Sequence, residues 1–163
     1  MSGYRGHLVG ASVSAVGYLA LFGYAVFAGL AQQYFALLEW GEYPLLGYVL
    51  ALGTLVLLFG LWPDVDIYSM GQRVFYSIFL VADVFLIVTE RFQVAAYLGL
   101  VAMLPILSRH RGWTHTWWAM LLVPSPLLIL PYLHMPEQPL VGLPFYGAAV
   151  VGYLSHLILD YAL

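Results

Sequence analysis

The stretch SRHRGWTHTWW, residues 108–118, gathers two histidines, two arginines and three hydroxyl side chains in a chain whose charged residues make up only 8% of the total. His110 and His115 flank Gly112, which lets the backbone turn, so the two imidazoles can converge on one cation or on two adjacent ones. Arg111 has the planar fork that grips a phosphate or a developing oxyanion in two-pronged fashion. A helix beginning nearby, with Thr114 as its expected cap, adds positive potential at its N-terminus. Arg109 reads instead as a topology anchor.

Three further segments carry groups of the same chemistry. In GYLSHLILD, His156 and Asp160 are four residues apart and share one face of a helix, where an imidazole and a carboxylate can grip one cation. In LWPDVDI, Pro63 ends a helix, and in an extended segment Asp64 and Asp66 project to the same side. Paired carboxylates of that kind suit divalent metals and can bridge two of them. His7 stands near the start of the chain. Cysteine is absent, so nitrogen and oxygen are the expected ligand atoms.

The elements that must position these groups are membrane helices. Hydrophobic residues form 63% of the 163-residue chain, and nearly uncharged runs match the roughly 20 residues needed to cross a bilayer. The expected fold is all-α: a polytopic membrane protein of about six transmembrane helices in one bundle, residues 1–163 forming a single domain. The spans are read near 8–33, 44–62, 73–89, 93–108, 115–133 and 143–161. The joint TERFQ, residues 89–93, contains neither Gly nor Pro. An unbroken helix over 73–108 would nevertheless run about 54 Å, far beyond a hydrocarbon core of roughly 30 Å. The first apolar run is longer than a usual signal-peptide core and is expected to be retained as a helix.

With six alternating spans, His7, Asp64, Asp66, His110, Arg111, His115, His156 and Asp160 all fall on the side where the chain begins. Glu39, Glu42, Glu90 and Glu137 fall on the opposite side. Arg5, Arg73, Arg109 and Arg111 share the first side and only Arg91 lies on the other, which makes the first side cytoplasmic, with both termini there. Trp62, Trp113, Trp117 and Trp118 are expected at that boundary as an aromatic belt. His134 reads as an interfacial residue without a role in the chemistry. Asp83, in the middle of the third span, either supports the site or lines a polar path.

Taken together, GHLVGA, PDVDI, RHRGWTHTWW and GYLSHLILD resemble the motif set of the YdjM-like inner-membrane family of metal-dependent hydrolases: an early His, then LPDxD, HRGxTHS and GYxSHLxxD. The four blocks occur in order across nearly the whole chain. The resemblance implies metal binding by His7, Asp64, Asp66, His110, His115, His156 and Asp160, with Arg111 and Thr114 inside the third block.

A ligand set of imidazoles and carboxylates without thiolate suits zinc above manganese or iron, as one or two ions. Such a site activates water for hydrolysis, and its interfacial position points to a lipid or lipid-like ester or phosphoester. In that scheme Asp64 or Asp66 is the general base and Arg111 stabilises the oxyanion. The net charge of −3 and the absence of lysine leave no basic stripe for nucleic acid. Membrane lipids are the expected partners, and the sequence leaves the oligomeric state open. Two other classes share the same residues: a structural or partner-binding membrane protein whose cluster ties helices together, and a small transporter.

Overall fold

The computed structural model describes residues 4–30, 44–65, 70–104, 112–134 and 140–162. Among them there is no strand. The helices are α1 (Tyr4–Phe27), α2 (Pro44–Leu61), α3 (Met70–Val88), α4 (Phe92–Met103), α5 (Trp117–Leu122), α6 (Pro126–His134) and α7 (Leu143–Ala162). Among the described residues four stretches, Tyr4–Phe27, Leu46–Asp64, Met70–Val88 and Leu143–Tyr161, are long and apolar enough to cross a membrane, while Phe92–Met103 and Trp117–Leu133 are shorter apolar stretches. Exposed Val, Leu, Ile and Phe side chains cover the outward faces of the bundle. Such an exterior is stable against lipid tails and costly against water.

The helix ends follow from local backbone chemistry. α1 stops earlier than the expected residue 33, because Gly29 takes a left-handed conformation (φ 76°). There Leu30 N–H donates to Ala25 O at 2.8 Å and Gly29 N–H to Val26 O at 3.0 Å, capping the last carbonyls. The same motif divides α3 from α4 without Gly or Pro. Glu90 adopts φ 61°, Arg91 N–H donates to Leu86 O at 2.8 Å and Glu90 N–H to Ile87 O at 3.0 Å. A left-handed conformation at a residue with a Cβ costs roughly 1–2 kcal/mol, a cost that Glu90 bears here in place of the glycine that would have announced the joint.

The span expected over 115–133 is two helices. Pro124 and Pro126 cannot donate to the helical ladder, and Ser125 Oγ satisfies one freed carbonyl by donating to Leu122 O at 2.7 Å. The cap of α5 is Thr116, in place of the expected Thr114. Thr116 is extended (φ −112°, ψ 151°) and its hydroxyl oxygen accepts from Ala119 N–H at 3.4 Å.

Glycines set how the central helices meet. A Cβ on Gly152 of α7 would strike the backbone of Val56 in α2, and one on Gly60 of α2 would fall 2.5 Å from the Ala11 Cβ of α1. Only hydrogen fits at these crossings, so α1, α2 and α7 pack at close range, as small residues allow in membrane bundles. Gly152, Gly147 and Gly142 thus serve contacts within the chain, against Val56, Tyr18 and Leu127 respectively.

At one end of this trio the core is aromatic. Trp62 is 1% exposed, packed 5.5 Å from the Tyr153 ring and 5.9 Å from Trp113, with Nε1–H donating to Val101 O at 2.8 Å. Trp62 therefore belongs to the core, contrary to its expected place in an aromatic belt, because its pyrrole N–H finds a backbone acceptor inside the bundle. Trp117 and Trp118 are half exposed at the same end.

Candidate metal centre

Four elements deliver five chemically active side chains to one end of the bundle. His7 lies in the first turn of α1, inside the helix that was expected to begin at residue 8. Asp64 closes a 3₁₀ turn over Trp62–Asp64 that continues α2. The turn is tight and replaces the extended segment expected there, since Pro63, its second residue, is tolerated within a first turn where its missing N–H has no helical partner to lose. His115 closes a second 3₁₀ turn, Trp113–His115, ahead of α5. His156 and Asp160 come from the last turns of α7. The close approach of α1, α2 and α7 at Gly60 and Gly152 carries their ends together.

Each histidine turns its Nε2 toward both carboxylates. His115 Nε2 lies 3.1 Å from Asp64 Oδ1 and 3.5 Å from Asp160 Oδ2. His156 Nε2 lies 3.7 Å from Asp64 Oδ1 and 3.5 Å from Asp160 Oδ2. His7 Nε2 lies 3.7 Å from Asp64 Oδ2 and 3.2 Å from Asp160 Oδ1. Asp64, His115, His156 and Asp160 each offer one ligand atom, and these four lie within 4.8 Å of one another. That group could hold a metal ion. Its nitrogen–oxygen separations of 3.1–3.7 Å bracket the edge of roughly 3.3 Å that a tetrahedron with metal–ligand bonds near 2.0–2.1 Å requires.

The state of His156 decides what this arrangement can do. The residue is fully buried, and Nδ1 lies 3.1 Å from the Gly60 carbonyl oxygen. A carbonyl only accepts, so Nδ1 carries a proton, and in the neutral ring Nε2 is then left to present its lone pair. That Nε2 is buried without a hydrogen-bond partner among the described residues and faces carboxylate oxygens that are acceptors themselves. Three acceptors around one point need a cation or an added proton between them. A ligating histidine that gives its other N–H to a backbone carbonyl is the usual way proteins fix the tautomer of a metal ligand.

Other contacts hold His115 in place. Its Nδ1 lies 3.2 Å from Thr114 Oγ1. Thr114 is fully buried, and its carbonyl accepts a short hydrogen bond from the Tyr153 hydroxyl. Thr116 Oγ1–H donates to Trp113 O at 2.6 Å, closing the turn. Tyr153 and the Gly60 carbonyl were not singled out from the sequence. Tyr153 stands three residues before His156 and so on the same face of α7, which is the signal that could have found it.

Of the eight residues expected to form the site, His7, Asp64, His115, His156 and Asp160 are brought together. Asp66, His110 and Arg111 lie outside the described residues, as does Arg109. Asp83 is 13 residues into α3, about 20 Å along the helix from its start, and has no contact with the cluster; its Oδ1 is buried with no hydrogen-bond partner among the described residues. Two apolar clefts between helices, of about 300 and 610 Å³, are lined by none of the cluster's residues.

A family model for the YdjM inner membrane protein matches residues 17–163. The chain belongs to that family. No curated protein and no solved structure matches it. The matched region contains Asp64, His115, His156 and Asp160, whereas His7 precedes it. Membership makes this an inner membrane protein, in keeping with helices long and apolar enough to cross a bilayer, and the His/Asp cluster lies toward the ends of three of them, α1, α2 and α7.

Proposed function

We propose that this YdjM-family protein is a membrane-embedded, metal-dependent hydrolase acting on a lipid or lipid-like ester or phosphoester at the cytoplasmic face of the inner membrane. The observation that carries the reading is the buried Nε2 of His156, whose Nδ1 is given to the Gly60 carbonyl, facing Asp64 and Asp160 without a hydrogen-bond partner of its own among the described residues. Asp64, His115, His156 and Asp160 would hold the ion, and a set of two imidazoles and two carboxylates without thiolate favours zinc over manganese or iron. An ion held there supplies Lewis acidity, polarising an ester or phosphoester oxygen and making water more acidic.

The chain's own groups do the rest. Asp64, the most exposed of the five at 27%, or its neighbour Asp66 accepts the proton of the attacking water. Arg111 holds the acyl or phosphoryl oxygen as negative charge develops on it. His7 and His156, at 2% and 0% exposure, close the floor of the site, so substrate arrives from the Asp64 side. Trp117 and Trp118, half exposed beside His115, suit the level of lipid headgroups. An ester presented at that level is within reach of the carboxylates, whereas a fully soluble substrate would gain nothing from the apolar exterior.

A second reading has an observation of its own. Four protein ligands already fill a four-coordinate site, and closed sites of that kind are structural; in that case the ion ties the end of α2, the turn before α5 and α7 together without turnover. One experiment separates the two. Protein purified in detergent is incubated with zinc and a mixed extract of inner-membrane lipids, and products are followed by mass spectrometry for wild type, His115→Ala and Asp160→Ala. Hydrolysis by wild type that falls at least 100-fold in both variants is expected. Hydrolysis unchanged in both variants, or metal-dependent thermal stability with no product from any lipid, would overturn the hydrolase reading.

A further inference from the structure

The two carboxylates present their oxygens in a paired way that a single ion does not use. Asp64 gives Oδ1 to His115 and His156, and Asp160 gives Oδ2 to the same two histidines. The remaining oxygens, Asp64 Oδ2 and Asp160 Oδ1, both turn to the other side, where His7 Nε2 lies 3.7 and 3.2 Å away. We infer that His7 with these two oxygens forms a second cation subsite, so that Asp64 and Asp160 bridge a pair of divalent metal ions. The inference rests on the metal-centre reading above.

Ring geometry sets the spacing independently of the carboxylates. His7 and His156 are stacked, with centroids 3.9 Å apart and planes inclined by only 16°. An imidazole binds a metal in its own plane along the Nε2 lone pair. Two nearly parallel rings 3.9 Å apart, both aimed at the same carboxylate pair, therefore direct two ions to positions about one stacking distance apart. Two-metal hydrolytic sites hold their ions about 3.5–4 Å apart, and that agreement is the argument's quantitative core. A stack of two buried imidazoles with both Nε2 atoms turned to the same carboxylates also gains little from dispersion alone.

The subsites differ in kind. The His115/His156 position has four protein ligands and is closed. The His7 position has three among the described residues, a nitrogen and two bridging oxygens. His7 comes from α1, the other ligands from α2, α7 and the turn before α5, so the second ion depends on α1 being docked.

The test counts ions. Wild type, His7→Phe and His156→Ala are purified in detergent without chelator, reconstituted with zinc, desalted and assayed by elemental analysis per chain; the same preparations with Mn(II) are examined by electron paramagnetic resonance. His7→Phe keeps a ring stacked on His156 and removes only the ligand; His7→Gln serves if the phenyl variant does not fold. Two ions in wild type, one in His7→Phe, and a spin-coupled Mn(II) signal in wild type that becomes a plain six-line spectrum in the variant are expected. One ion in both, lost in His156→Ala, would overturn the second subsite and leave the four-ligand centre standing. Two ions in both wild type and His7→Phe would place the second ion elsewhere and equally overturn it. No ion in any preparation would overturn the metal reading itself.

Discussion

Replacing Tyr153 by Phe removes one oxygen atom from the support of the metal centre and nothing else. The phenyl ring keeps the contact that the phenol makes with Trp62, 5.5 Å between centroids, so no cavity opens in the core. What is lost is the hydrogen bond to the Thr114 carbonyl. Thr114 is fully buried, so water does not replace the donor, and an unsatisfied buried carbonyl costs about 1–3 kcal/mol. The carbonyl belongs to the residue before His115, whose Nε2 stands 3.1 Å from Asp64 Oδ1. Part of the cost therefore appears as a looser ligand. Losses of such supporting contacts weaken metal binding by about 10–100-fold, equivalent to about 1.4–2.7 kcal/mol, which is the range that the lost hydrogen bond can supply. Competition of detergent-purified wild type and Tyr153→Phe against a chromogenic zinc chelator measures this directly, with a thermal melt of the chelator-stripped proteins alongside. A zinc affinity unchanged within twofold, with a lowered melting temperature, would refute the reasoning and leave Tyr153 as a packing residue only.

Chelator treatment of wild type is expected to lower its melting temperature, and zinc returned at 100 times its dissociation constant to restore about 2.7 kcal/mol, as followed by a melt at graded zinc concentrations. Gly152→Ala places a methyl group against the backbone of Val56 and forces α7 from α2; a destabilisation of about 1–3 kcal/mol and weaker zinc binding are expected in the same two assays. Because the chain has no cysteine, single cysteines report orientation: Arg5→Cys should react with a membrane-impermeant maleimide only after cells are opened, and Thr89→Cys, exposed between α3 and α4, in intact cells. The reverse pattern would put the metal centre on the outer face.

The amino-acid sequence by itself determined the all-α membrane class, because runs of apolar residues this long satisfy both lipid and backbone only as helices. It also determined which end of the bundle carries the chemistry. Alternation of spans puts His7, Asp64, His115, His156 and Asp160 on one side whatever the details of packing, since each stands at a helix end. Helix boundaries were less legible. Glu90 in a left-handed conformation and the Pro124/Pro126 break are backbone decisions that hydropathy does not register, and the end of α1 at Gly29 replaced an apolar run that continues past it. Which tryptophan is buried was likewise undecided by composition: Trp62 is core, with its N–H on a backbone acceptor inside the bundle, while Trp117 is half exposed.

Tertiary structure alone decided the arrangement of the ligands. Spacing in the chain says that His156 and Asp160 share a face; it says nothing of Gly60 meeting the far nitrogen of His156, which puts a proton there and turns the near nitrogen to both carboxylates. Nor does it show that the carboxylates of Asp64 and Asp160 divide their oxygens between His7 on one side and His115 with His156 on the other. Those relations depend on how closely α1, α2 and α7 approach. That distance is set at Gly60 and Gly152, where the absence of a side chain is what the neighbouring backbone requires.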